Sequence, residues 1–163
     1  MKRIGLGVCL VAVLVAAGTG IVGSVQSQDF LCVDFTAEVA RGVLDELGLD
    51  YTEDVDSDGY PLWEFAIADH LVTLLVFDDN PTKGGYESLM LYGGFILDAP
   101  RPLQAVNLWN ERNRFARAFL DVEGDLVLEC DLLLLGGVTK LTVKRYISLF
   151  GELLDDAASI LGS

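Results

Sequence analysis

Apolar residues in this chain recur in two rhythms, one of period two and one of about 3.6, and the switches between them set out its elements. The clearest stretch runs from Gln104 to Thr139. Within it, Arg114 to Asp121 alternates as a strand, with Phe115, Arg117 and Phe119 on one side and Ala116, Ala118 and Leu120 on the other. Val122-Glu123-Gly124-Asp125 supplies a turn, because Gly124 accepts a positive φ at little cost. The return strand sets Leu126, Leu128, Cys130, Leu132 and Leu134 on one face and Val127, Glu129, Asp131, Leu133 and Leu135 on the other. Gly136-Gly137 ends it. Thr139 or Thr142 then caps a helix in which Val143, Tyr146, Ile147, Phe150, Leu153, Leu154, Ala157 and Leu161 fall at helical spacing.

Upstream, Thr36 caps a predicted helix through Leu47, with Val39, Val43 and Leu47 on one stripe and Gly48 as its terminator. Four strands follow, over about Tyr51–Val55, Leu62–Ile67, Leu71–Asp78 and Glu87–Leu97. The third is apolar on both faces, which places it at the centre of a sheet. Gly93-Gly94 in the fourth predicts a bulge or close packing. Pro100 and Pro102 precede a helix over Leu103–Asn113. The order helix, four strands, helix, two strands, helix predicts an α+β fold, a mostly antiparallel sheet with three helices packed on one face. The opposite face keeps Val127, Leu133 and Leu135, and an exposed apolar patch of that kind marks a contact surface. A homodimer or another protein partner is expected there.

The N-terminus has a different character. Lys2 and Arg3 precede Ile4 to Ala17, which carries no charge, and Gly18 to Gln28 is small and polar. This is the layout of a secretory signal. Residues 1–28 are therefore read as a signal peptide or an N-terminal membrane anchor spanning residues 4–25, and residues 29–163 as one α+β domain. Export implies a periplasmic or secreted location, the anchor a membrane-bound one. Cys9 reads as a small hydrophobe within that segment.

Charge narrows the partners. The 163 residues hold 25 acids against 11 Lys and Arg, a formal net charge of −14. Every acid lies from Asp29 onward, so loss of Lys2 and Arg3 makes the remainder still more acidic. Nucleic acid and anionic lipid both demand basic surfaces, so neither is an expected partner. Two cysteines remain after the leader, Cys32 and Cys130. An oxidising compartment permits a bridge between them, and two buried thiols are the alternative.

Candidate chemistry is sparse. Asp54 to Gly59 begins like a calcium loop, but position twelve is Phe65 and the flanks read as strands, so the Asp, Ser and Gly are read as a turn between two strands. His70 is the one histidine and lies in a predicted turn, where a solvated role is ordinary. No P-loop, nucleophile elbow, dinucleotide motif or zinc spacing occurs after the leader. No enzyme activity, metal or cofactor is expected. Arg101, Arg112, Arg114 and Arg117 form a local basic island beside Trp109, Asn107, Asn110 and Asn113. They could dock a carboxylate or an acidic segment, or pair with Asp121, Glu123 and Glu129 across the hairpin with Trp109 in the core.

Trp109-Asn110, Arg114 to Asp121, Gly124-Asp125, Val127-Leu128-Glu129, Asp131-Leu132 and Gly136 to Thr139 together resemble the signature of the YbjN family of bacterial sensory transduction regulators. The resemblance covers about Thr36 to Leu161. It implies a fold similar to the type III secretion chaperones, small α+β domains that dimerise and bind other proteins without catalysis. It brings no catalytic residues. Where the family carries an apolar residue such as Met, this chain has Cys130, in keeping with a core thiol. The expectation is an exported, non-enzymatic domain acting through protein contacts, regulatory, stress-related or chaperone-like, with Val127, Leu133, Leu135, Arg112 and Arg117 as candidate partner-binding residues. A second expectation is a small-molecule or peptide sensor with a pocket near Trp109.

Overall fold

The computed structural model describes residues 31–32, 35–80, 84–99 and 101–161. Residues 1–28, with Cys9 and the leader or anchor reading, lie outside them, as does the side chain of Cys32. Eight strands and three helices follow in the order β1 (Leu31–Cys32), α1 (Ala37–Leu47), β2 (Tyr51–Val55), β3 (Pro61–Ile67), β4 (His70–Asp79), β5 (Tyr86–Phe95), α2 (Leu103–Arg112), β6 (Arg117–Leu120), β7 (Leu126–Leu133), β8 (Val138–Thr139) and α3 (Lys140–Leu161). Six strands form one antiparallel sheet in the order β2-β3-β4-β5-β7-β6. The short β1 and β8 pair separately, Leu31 opposite Thr139 and Cys32 opposite Val138. This ribbon has no counterpart in the sequence pattern, because two residues are too few to show a period.

Local chemistry starts and stops the helices. Thr36 accepts the Val39 N–H at 3.3 Å, and Gly48 closes α1 at φ 68, where a side chain would be strained. Thr139 Oγ1 accepts the Thr142 N–H at 3.0 Å, so Thr139 holds the first turn of α3. The buried stripe of α1 is Ala40, Val43 and Leu44, with the expected Val39 and Leu47 at its margins.

All three helices cover one sheet face. Trp63 and Phe65 of β3, Val72, Leu74 and Val76 of β4, Leu89 and Leu91 of β5, and Leu128 and Cys130 of β7 meet Val106 and Trp109 of α2 and the long apolar stripe of α3. Truncating one of these, such as Leu128, which is fully buried, costs about 2–5 kcal/mol. The register runs through Gly93 and Gly94 without an inserted residue, so close packing, not a bulge, explains the pair. A Cβ on Gly93 would stand 3.2 Å from Leu154 of α3 and 3.3 Å from the Leu71 carbonyl.

β4 is central, as expected, but only one of its faces is dry. Val72, Leu74 and Val76 are buried, whereas Leu71 on the other face is 65% exposed. The first hairpin strand is also shorter than its alternation predicts. Phe115 takes φ 78, which turns the chain out of the strand conformation, so β6 begins only at Arg117. Likewise β7 ends at Leu133, before Leu134 and Leu135.

Candidate functional site

The uncovered sheet face is built in cross-strand rungs. Thr73, Tyr92, Glu129 and Arg117 form one, Leu75, Met90 and Asp131 the next, and Phe77, Ser88 and Leu133 a third. Leu133 is 62% exposed and Leu135, just beyond the strand, 59%. Both face solvent. Val127 does not. It is flanked by Phe119 on β6 and Gly94 on β5, and only 3% of it is exposed. Its place is a small apolar layer on the outer face, so Val127 is corrected from contact residue to packing residue.

The basic island is dispersed. Arg117 Nε donates to Glu129 Oε2 at 2.7 Å and its Nη2 reaches the same oxygen, which fixes the middle of the open face. Arg101 Nε donates to the Leu161 carbonyl at 2.6 Å, and the Arg114 guanidinium lies 4.9 Å from the Phe115 ring centre. Arg112 is exposed at the end of α2 and makes no ion pair among the described residues. Asp121 serves the turn instead of an arginine, accepting the Glu123 and Asp125 N–H groups at 3.0 and 2.8 Å. The amides are structural too. Asn110 Nδ2 donates to the Ala118 carbonyl at 2.9 Å while its Oδ1 accepts the Ala118 N–H at 2.8 Å.

Trp109 is core on one side and pocket wall on the other. Its indole N–H donates to Asp156 Oδ2 at 2.8 Å, and Asn113 Nδ2 reaches the same oxygen at 3.2 Å. Beside it, Leu108, Arg112, Asp156 and Ile160 line a pocket of about 220 Å³ between α2 and α3.

A larger groove, about 430 Å³, lies between β7 and α3, lined by Phe115, Leu132, Leu141, Tyr146 and Leu149 with Asp131 and Arg145 at its rim. Sequence reasoning missed it. The groove exists because β6 stops early, and a phenylalanine in the left-handed region has no sequence signal. Cys130 lines its floor as a free, buried thiol whose Sγ donates to the Phe115 carbonyl at 3.0 Å. Burial pushes this thiol up to about 11. Of the two readings of Cys130, a bridge to Cys32 or a buried thiol, its side chain takes the second.

His70 opens β4 and is more constrained than a solvated turn histidine. Its Nε2 lies 3.0 Å from Asp155 Oδ1 on α3, and its ring meets Phe95 edge-on at 5.0 Å. The first contact ties the start of β4 to α3, and the second joins β4 to the end of β5. In the Asp54–Gly59 turn, Asp56 Oδ1 accepts the Asp58 and Tyr60 N–H groups, each at 2.9 Å, so that carboxylate organises the hairpin. Among the described residues no three His, Cys, Asp or Glu side chains converge on a metal position, and no helix is long and apolar enough to cross a membrane.

Comparison with known proteins agrees with the element order. The family model "YbjN: Putative bacterial sensory transduction regulator" matches residues 36–161. YbjN from E. coli, whose solved structure is described as that of "a putative transcription regulator", is 16% identical, with 80% of this chain and 95% of that one covered at a TM-score of 0.57. The Yersinia pestis type III secretion chaperone SycH, solved in complex with a stable fragment of YscM2, is 15% identical over 76% of this chain and 97% of its own, with a TM-score of 0.51. The HopA1–SchA chaperone–effector complex contains a chain 17% identical over 77% and 92%, with a TM-score of 0.52. At these identities the likeness is one of fold. No curated protein matches the chain.

Proposed function

The chain belongs to the YbjN family, and we propose from that premise that it works by binding another protein, in a regulatory, stress-related or chaperone-like role and without catalysis. The observation that carries this reading is the one-sided sheet. Three helices cover one face, while the other presents Leu133 and Leu135 to solvent around a fixed Arg117–Glu129 pair. A face of this kind suits a flat protein contact more than a substrate, which needs a concave site with converging polar groups. The fold-level likeness to chaperones seen in complexes with protein partners supports the same reading.

The export reading completes the proposal. Lys2, Arg3 and the uncharged run Ile4 to Ala17 support delivery to the periplasm or beyond, or anchoring through residues 4–25. The proposed assembly is a homodimer or a complex with an envelope protein. Photo-crosslinkers placed at Leu133 and Leu135 in the full chain, expressed in its own cells, test the contact. Adducts to a defined protein or to a second copy, located in the envelope fraction, are expected. Crosslinks to neither, with a monomer by light scattering, would overturn it.

The pocket beside Trp109 favours a second reading, a small-molecule or peptide sensor. Its 220 Å³ is below the roughly 300 Å³ at which drug-sized pockets begin, so its ligand would be small. A saturable change in tryptophan emission across a metabolite panel, abolished by Ile160→Trp filling of the pocket, is the expected result.

A further inference from the structure

The β6 side of the sheet is closed over half of its length and open over the rest. β6 pairs with β7 only from Arg117 opposite Glu129 to Leu120 opposite Leu126. On the outer side of β6, Asn110 occupies both backbone groups of Ala118, so that position offers nothing to a newcomer. β7 continues beyond β6 to Leu133. In an antiparallel strand, successive residues direct their backbone groups to alternate neighbours. The Leu134 N–H donates to the Glu87 carbonyl next to the start of the β5 pairing, at 2.8 Å, so Leu132 and Cys130 also face β5. Asp131 and Leu133 therefore direct theirs to the side that β6 has vacated. No described residue pairs with them there.

The vacancy has depth. Below it lies the groove between β7 and α3, with Leu132, Tyr146 and Leu149 behind and the exposed Phe115 and Leu141 at its mouth. Above it, on the open face, stands Asp131, exposed and without an ion pair among the described residues.

We propose that this groove takes an extended segment of the partner protein, which adds to β7 as a short strand at Asp131 and Leu133 and alternates apolar with basic side chains. The inference deepens the protein-contact reading above and rests on it. Unpaired outward groups on alternate residues are matched by a strand and not by a helix. A strand sends successive side chains to opposite faces, so one set enters the apolar groove and the other lies beside Asp131 and Leu133. A chain of formal charge −14 with an unpaired carboxylate at that point selects Lys or Arg for the second set. The same charge opposes a second copy, whose own Asp131 would approach across the pairing.

The test uses the full chain and a short fluorescent peptide of alternating Val and Lys, with three companions: alternating Val and Glu, the Val–Lys peptide N-methylated on alternate residues, and the Asp131→Pro protein. Proline at 131 removes one outward N–H and leaves the β5 pairing alone. The Val–Lys peptide binds saturably, and its binding slows hydrogen exchange of the Asp131 and Leu133 amides. Each companion weakens affinity by about tenfold or more. Equal binding of the N-methylated peptide, or protection elsewhere, overturns strand addition. Protection of both amides before peptide is added also overturns it, in favour of a second copy if dilution removes the protection and of the chain's own N-terminal segment if it does not. Crosslinks at Leu133 or Leu135 without protection at Asp131 would sink this inference and leave the protein-contact reading standing.

Discussion

The hydroxyl of Tyr146 on α3 meets the carbonyl of Cys130 on β7 inside the core, and the same hydroxyl accepts the Leu91 N–H of β5 at 3.3 Å. One side chain thus joins the last helix to two central strands. Burial holds the Tyr146 hydroxyl far above its ordinary range, so it is a neutral donor at every usable pH. Tyr146→Phe leaves a ring that fits but no donor, and costs about 1–2 kcal/mol, read as a lower denaturation midpoint with an unchanged slope.

Cys130 shares that environment. Its thiol is raised to about 11, so little thiolate exists at neutral pH. Alkylation of native protein at pH 8 is expected to spare Cys130 and to reach it on unfolding. The unfolded thiol ionises near 8.5, so the folded state loses stability as pH rises from there towards 11. Cys130→Ala flattens that part of the pH profile.

Acid acts on a different pair. Arg41 Nε and Nη2 donate to both oxygens of Glu53 at 2.7 and 2.8 Å, and this bond holds the Glu53 carboxyl below its ordinary value. A depressed carboxyl stabilises the fold above its unfolded value and loses that contribution as pH falls through the folded one. The difference in Tm between the parent and Arg41→Gln is therefore present at pH 7 and closes below about pH 4.3.

Leu133 and Val127 lie on the same face of β7 and differ in cover. Leu133→Asp changes stability by about 0.5 kcal/mol or less and weakens partner crosslinking. Val127→Asp buries an unpaired charge and costs about 3–5 kcal/mol. Paired urea titrations separate the two, and equal losses would mean that Leu133 is also packing.

The β3–β4 hairpin turns on Ala68 and Asp69, with φ of 51 and 64, opposite the pair Ile67 and His70. Positive φ at both positions is the type I′ geometry that asparagine tolerates better than alanine. Ala68→Asn is expected to raise stability by about 0.5–1 kcal/mol in thermal unfolding.

Much of this architecture was legible in residue spacing. The long stripe from Val143 to Leu161 and the alternation of Leu126 to Leu134 name the core residues, because burial on one face imposes a period. The burial of Val127 is not legible this way, because the alternation names a face but not what lies beside a residue on it, and Phe119 and Gly94 arrive from other strands. The open edge of β7 was illegible for a related reason. It follows from one backbone angle at Phe115, a residue type that carries no turn signal. His70 and Asp155 are 85 positions apart, and no local pattern could join them.

The ribbon of β1 and β8 fixes a point of entry. Leu31 sits opposite Thr139, one residue before α3 begins, so β1 enters the fold beside the first turn of the last helix, at the residue whose side chain caps it.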